Sequence, residues 1–177
     1  MDSIVYRRLD SPLGPILVAA AATGLKRIGF ERGNPPPDCP PEWQALSAGN
    51  ESTGAGPVLL EGVRQIEEYF RGTRHAFDLP LDADGNPFQQ RVWQELCRIP
   101  YGQTWTYGQL AGRIGRPGAA RAVGSANARN PLPIVVPCHR VIGANGTLTG
   151  YYGGLHLKAF LLELERGSSA SPQTALL

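Results

Sequence analysis

Cysteine, histidine and long apolar runs are all scarce in this chain of 177 residues. The three cysteines, Cys39, Cys97 and Cys138, include no C-x-x-C pair, which argues against a disulfide framework or a zinc ribbon and makes reduced thiols the expectation. The three histidines, His75, His139 and His156, have no carboxylate or thiol at ligand spacing, so no metal is expected. No run approaches the roughly 20 apolar residues of a membrane span. The opening "MDSIVYRRLDSPLG" lacks the basic, apolar and small-residue zones of a cleaved leader. These absences predict a soluble, cytoplasmic protein with no membrane contact. Acidic residues are scarce in one half only. Residues 1–85 hold 8 Lys+Arg against 12 Asp+Glu, a balance of −4, whereas residues 86–177 hold 9 against 3, a balance of +6. The second half is the better face for a polyanion, although a solvated basic surface would look the same.

What is present suffices for a real core, with 42% hydrophobic residues. "SIVYRRL", "PILVAA" and "LKRIGF" are short strand-like runs divided by the turn signals "DSPLG" and "ATG", and they predict an antiparallel meander. Residues 31–57, rich in Pro, Gly and Ser, read as a long surface connection with one turn of helix near Trp43. "PVLLEGVRQIEEYFRG" then places Leu59, Leu60, Val63, Ile66, Tyr69 and Phe70 at helical spacing, with Pro57 in the first turn and Gly72 at the stop. This helix is expected to pack on the sheet. "DADGNPF" combines a turn with a helix start, Asn86 as N-cap and Pro87 as first helical residue, and sets a domain boundary between residues 1–85 and 86–177.

In the second half, "FQQRVWQELCRI" predicts a helix burying Phe88, Val92, Trp93, Leu96 and Ile99 and halted by Pro100, with Cys97 on its apolar face as a small hydrophobe. "TYGQLAGRIG" and "AARAVGSANA" are two short helices joined across "GRPG", a helix-turn-helix in outline. DNA recognition is one reading; two core helices joined by a glycine turn is the other. "IVVPCHRVI" looks like a buried, β-branched strand, followed by a "GANG" turn, a "LTGYYGG" loop and a closing helix "LHLKAFLLELER". The last residues, "GSSASPQTALL", read as a frayed tail. The fold class is α/β (α+β), with a small antiparallel-sheet domain carrying a helix and a helical carboxy-terminal domain.

Cys138, directly before His139 and Arg140, could be a buried hydrophobe, one arm of a metal site, a hydrolase nucleophile or an alkyl acceptor. A free thiol has a pKa near ~8.5, so a nucleophile needs a neighbour that favours thiolate. His139 is the immediate candidate. Successive side chains in a strand point to opposite faces, so a Cys138–His139 pairing demands a turn or helical twist at the cysteine, or a bridging water. The adjacent pair is unlike a papain-type pair, and no oxyanion site or deacylating water is marked.

"NPLPIVVPCHRVIGANGTLTGYYGG" strongly resembles the active-site segment of the O6-alkylguanine-DNA alkyltransferases, also called methylated-DNA-protein-cysteine methyltransferases. The resemblance runs through residues 86–166, including "FQQRVWQELCRIPYGQTWTYGQLA", "GAARAVGSANARNP" and "GLHLKAFLLELE", while the first half is similar only in size and layout. It implies irreversible, stoichiometric alkyl transfer from O6-alkylguanine, and less efficiently O4-alkylthymine, to Cys138 after the nucleotide is flipped out. It assigns His139 and Glu165 to a water-bridged relay that deprotonates the thiol, Tyr107 to the extruded base and its proton supply, and Asn130 to bracing the cysteine segment. DNA contacts fall to Arg121, Tyr107, Ala122, Ser125 and Arg129, with Arg121 filling the space left in the stack. The pocket falls to Val141, Tyr151, Tyr152, Gly153 and Lys158, with the Tyr152 N–H facing the guanine oxygen. The resemblance further implies no cofactor, double-stranded DNA bound from the minor groove, a monomer, and repair without an added transcriptional domain. Relatives that bind zinc do so through an amino-terminal set of which this chain has only Cys39 and His75. The alternative is a non-catalytic lesion binder, as in the alkyltransferase-like proteins, which have another residue in place of the cysteine.

Overall fold

The computed structural model describes residues 3–33 and 36–169. The chain divides into two units, one of Met1–Asn86 with Pro131–Val135, the other of Pro87–Asn130 with the chain from Val136.

In the first unit, β1 (Val5–Leu9), β2 (Ile16–Ala21) and β3 (Gly24–Phe30) form the expected meander, antiparallel from Val5↔Ala20 to Leu9↔Ile16 and from Ile16↔Phe30 to Ala21↔Gly24. The long connection is not wholly irregular. Gln44–Ala45 (β4) lies parallel on the free edge of β1, so the sheet is mixed, in the order β3-β2-β1-β4. Where a helical turn was predicted near Trp43 there is a single hydrogen-bonded turn, the Trp43 N–H donating to the Pro40 carbonyl at 3.0 Å, which leads directly into β4. An edge strand presents unpaired backbone groups, and here the N–H groups of Gln44 and Leu46 donate to the carbonyls of Ile4 and Tyr6, each at 2.9 Å. Helix α1 (Gly56–Phe70) lies against β2, with further contacts to β1 and β3. It buries Leu59, Val63, Ile66 and Tyr69, whereas Leu60 and Phe70 are half-buried. Gly62 sets how closely helix and sheet approach: a Cβ there would lie 2.8 Å from Leu25 Cδ2.

The second unit holds α2 (Pro87–Leu96), β5 (Trp105–Thr106), α3 (Tyr107–Arg113), α4 (Ala120–Ala128), a single 3-10 turn (Cys138–Arg140), β6 (Val141–Ile142) and α5 (Leu155–Ser169). Helix α2 buries Val92, Trp93 and Leu96, and the Trp93 indole N–H donates to the Ala126 carbonyl at 2.9 Å, tying α2 to α4. Phe88 is only half-buried, with the Arg116 guanidinium 5.6 Å from its ring centre. Cys97 is exposed, contrary to its predicted core position, because regular helix ends at Leu96 and the chain turns outward before Pro100. Helices α3 and α4 pack on each other and on α2 as a helix-turn-helix. The start of α3 is fixed by a capping box, in which the Thr106 hydroxyl accepts from the Gln109 N–H and the Gln109 side chain returns the bond to the Thr106 N–H.

The apolar stretch before the cysteine is buried as expected, yet strand pairing is confined to Val141 and Ile142, which lie parallel to Trp105 and Thr106. Residues 131–135 form turns. Ile134 has φ +78°, the one positive φ outside glycine among the described residues, a conformation that costs a β-branched side chain of order 1–3 kcal/mol. Helix α5 carries Gly167, Ser168 and Ser169, which had read as tail; the rest of that tail, 170–177, lies outside the described residues.

Candidate active site

Cys138 opens the 3-10 turn, and the turn supplies the twist that two adjacent side chains need to serve one site. Its N–H donates to the Val136 carbonyl at 2.8 Å, and Arg140 N–H donates to the Pro137 carbonyl at 3.0 Å. Two asparagines hold this backbone. Asn130 Nδ2 donates to the Val136 carbonyl at 2.8 Å, and Asn127 Nδ2 reaches the Cys138 carbonyl at 3.4 Å. The carbonyls on both sides of Pro137 therefore hang from the end of α4 and the residues after it. Asn127 had not been anticipated, since nothing in sequence marks which face of a short helix meets the cysteine.

Cys138 is 4% exposed. Burial pushes its thiol above the ordinary range, opposed by a hydrogen bond from Asn130, the charge of Lys158 and the Tyr151 hydroxyl. At rest it is a thiol that needs a base. His139 is fully buried, and its Nε2 lies 2.7 Å from Glu165 Oε1. Burial pulls the imidazole pKa down, with Glu165 pulling the other way. Because an ionised carboxylate only accepts, Nε2 carries the proton and Nδ1 keeps its lone pair. Nδ1 is buried and takes no hydrogen bond from the described residues.

Glu165 is fully buried on α5. Burial alone would raise its pKa, but hydrogen bonds from His139 and Arg140 hold it at about 2. Arg140 supplies three contacts, Nε to Oε1 at 3.2 Å and to Oε2 at 2.9 Å and Nη2 to Oε1 at 2.9 Å, and its Nη1 donates to the Ile99 carbonyl at 2.6 Å. The Gly102 N–H completes the carboxylate at 3.2 Å from Oε2. Sequence reasoning missed Arg140 as a site residue; its only signal was its place beside Cys138 and His139.

Lys158 is also fully buried on α5, its Nζ 2.9 Å from the Thr149 carbonyl, with burial lowering its pKa and the Cys138 charge raising it. Tyr107, the first residue of α3, accepts a hydrogen bond on its hydroxyl from Thr149 Oγ1 at 3.0 Å. Val141 is buried beside the turn, and Tyr151, Tyr152 and Gly153 are half-buried in the loop before α5. Gly153 and Gly154 take φ +93° and +110°, values that favour glycine. The side chains of Arg121, Ala122, Ser125 and Arg129 make no hydrogen bond to this cluster among the described residues. They are exposed on one side of α4 and its end, and neither arginine forms an ion pair among the described residues.

Residues 87–167 match the family description "6-O-methylguanine DNA methyltransferase, DNA binding domain", and residues 4–83 match its ribonuclease-like domain. The chain belongs to the 6-O-methylguanine DNA methyltransferase family. It is 49% identical to the methylated-DNA--protein-cysteine methyltransferase of Methanosarcina acetivorans, over 90% of this chain and 97% of the relative. Against the constitutive enzyme of Bacillus subtilis the identity is 44%, over 91% and 94%. Among solved structures, Mycobacterium tuberculosis OGT in complex with DNA superposes with a TM-score of 0.81 at 43% identity, covering 98% of this chain and 99% of that one. The methyltransferase match takes in Tyr107, Arg121, Cys138, His139, Lys158 and Glu165 together. Among the described residues no helix is long and apolar enough to cross a membrane, and no group of three or more His, Cys, Asp or Glu could hold a metal ion.

Proposed function

We propose that the protein repairs DNA by moving the alkyl group of O6-alkylguanine, and less efficiently of O4-alkylthymine, onto Cys138. The observation that carries this reading is the buried Cys138 beside a His139 whose Nε2–H is tied to Glu165 and whose Nδ1 is left as a base. His139 Nδ1 takes the thiol proton through a bridging water, and Glu165 stabilises the imidazolium that results. The thiolate attacks the alkyl carbon in line, the carbon–O6 bond breaks, and its electron pair leaves on guanine. The thioether is stable, so each molecule acts once.

Guanine O6 is out of a thiol's reach inside a duplex, and extrusion costs a few kcal/mol. Arg121, exposed in the first turn of α4, fills the vacated stack, and Ser125 and Arg129 on the same side meet the backbone. Tyr107 and the 151–153 loop hold the extruded base, Asn130 braces the cysteine segment, and Lys158 biases the thiol toward its charged form. Residues 1–85 and 86–177 serve as scaffold and reacting domain. The cytoplasm, where thiols stay reduced, suits this chemistry.

Equimolar protein and an oligonucleotide bearing O6-methylguanine provide the test. One added methyl on the Cys138 peptide, with stoichiometric conversion, is expected. DNA binding without an adduct would instead make the protein a lesion binder, and turnover without an adduct a hydrolase.

A further inference from the structure

Thr149 links two groups that precede and follow the cysteine in the chain, Tyr107 and Lys158. Its hydroxyl donates to the Tyr107 hydroxyl at 3.0 Å, and its carbonyl accepts from the buried Lys158 Nζ at 2.9 Å. Both partners are fixed from elsewhere. Tyr107 is the residue after the Thr106 cap, and Lys158 is fully buried on α5. A side chain in an exposed loop is thereby held at both its main-chain and hydroxyl oxygens.

We propose that Thr149 is a positioning residue that prepares Tyr107 to give its proton to the departing base. The inference rests on the alkyl-transfer reading above. With Thr149 as donor, the Tyr107 oxygen is an acceptor on one side while its own O–H stays available to a base in the pocket. As sulfur bonds to the alkyl carbon, the electron pair of the carbon–O6 bond moves onto guanine, which takes the phenolic proton. Negative charge then develops on the Tyr107 oxygen, and the hydrogen bond from Thr149 stabilises it. No bond within Thr149 breaks. The thiol proton, taken by His139, passes to solvent, and solvent returns one to Tyr107.

A double-mutant cycle measured by single-turnover transfer from O6-methylguanine in duplex DNA tests this. Thr149→Val keeps the shape and removes the donor, and is expected to slow transfer by about three- to tenfold, the rate equivalent of one hydrogen bond. Thr149→Ser should restore the rate. In a Tyr107→Phe background, which has no oxygen to accept, Thr149→Val should slow transfer no further. Equal slowing in both backgrounds would place the effect in loop packing or Lys158 and overturn the proposal, as would an unchanged Thr149→Val rate or a serine that fails to rescue. The wild-type protein separates the two readings. If it forms no Cys138 adduct, alkyl transfer itself fails; if it forms the adduct and the cycle is additive, only the role of Thr149 fails.

Discussion

Arg140 grips Glu165 with three hydrogen bonds of 2.9–3.2 Å inside the protein, while the same carboxylate holds His139 at 2.7 Å. One oxygen, Oε1, thus serves a permanent cation and a titrating imidazole. The arginine keeps the carboxylate charged, and the charged carboxylate keeps the histidine proton on Nε2. Arg140 therefore acts on the thiol at two removes.

Arg140→Met should be costly. Removing one partner of a buried ion pair typically costs about 3–5 kcal/mol, and for a chain of this size each kcal/mol lowers the melting temperature by roughly 2–4 °C. A fall of about 10 °C is expected by thermal unfolding. The cation also depresses the His139 pKa, so without it the imidazole protonates more readily and transfer to free O6-benzylguanine should need higher pH. An unaltered melting temperature would remove the pair from the stability of the site.

Glu165 makes the fold sensitive to acid. Its pKa falls from 4.5 to about 2 on folding, so its stabilisation is complete above the unfolded value and is lost as pH drops through this window. The shift corresponds to about 3 kcal/mol. Denaturant melts from pH 5 to pH 2 should lose stability in the wild type and much less in Glu165→Gln. The same variant should slow transfer and lower the pH of its half-maximal rate, because Glu165 raises the His139 pKa and without it the imidazole stays neutral to lower pH while being a weaker base; an unshifted profile would dismiss the relay.

Arg121→Ala should separate flipping from chemistry. Transfer from duplex O6-methylguanine should slow by more than about tenfold, while attack on free O6-benzylguanine, which needs no extrusion, should change little. Equal slowing on both substrates would take Arg121 out of the flipping step.

Arg129→Ala should weaken binding to undamaged duplexes of any sequence. A phosphate contact is expected to disappear from the salt dependence, lowering the slope of log affinity against log salt by about 1. A slope identical to wild type would mean that Arg129 faces solvent in the complex.

Much of the fold was legible because local signals agreed with tertiary structure. Pro57 and Pro87 mark helix starts, Gly72 marks a stop, and the meander strands are separated by clear turns. β4 was illegible: Gln44 and Ala45 carry no strand signal and pair because β1 offers an open edge. The 3-10 turn at Cys138 was hidden by the β-branched run before it, where side-chain bonds from Asn130 and Asn127 override local preference. At the site, the cysteine and histidine were readable from their adjacency. Arg140 as the clamp on Glu165, 25 residues further along, and Thr149 on Tyr107, 42 residues back, depend on contacts that no local pattern encodes.

The two groups that act on the cysteine from a distance, Lys158 and Glu165, both lie on α5, the last helix described. A ribosome makes Cys138 well before it makes them. Until α5 emerges and docks, His139 has no carboxylate to orient it and Cys138 no nearby ammonium, so the thiol remains an ordinary one. The nascent chain thus carries its acceptor before it carries the groups that activate it, and alkyl transfer from DNA becomes possible only with the completed fold.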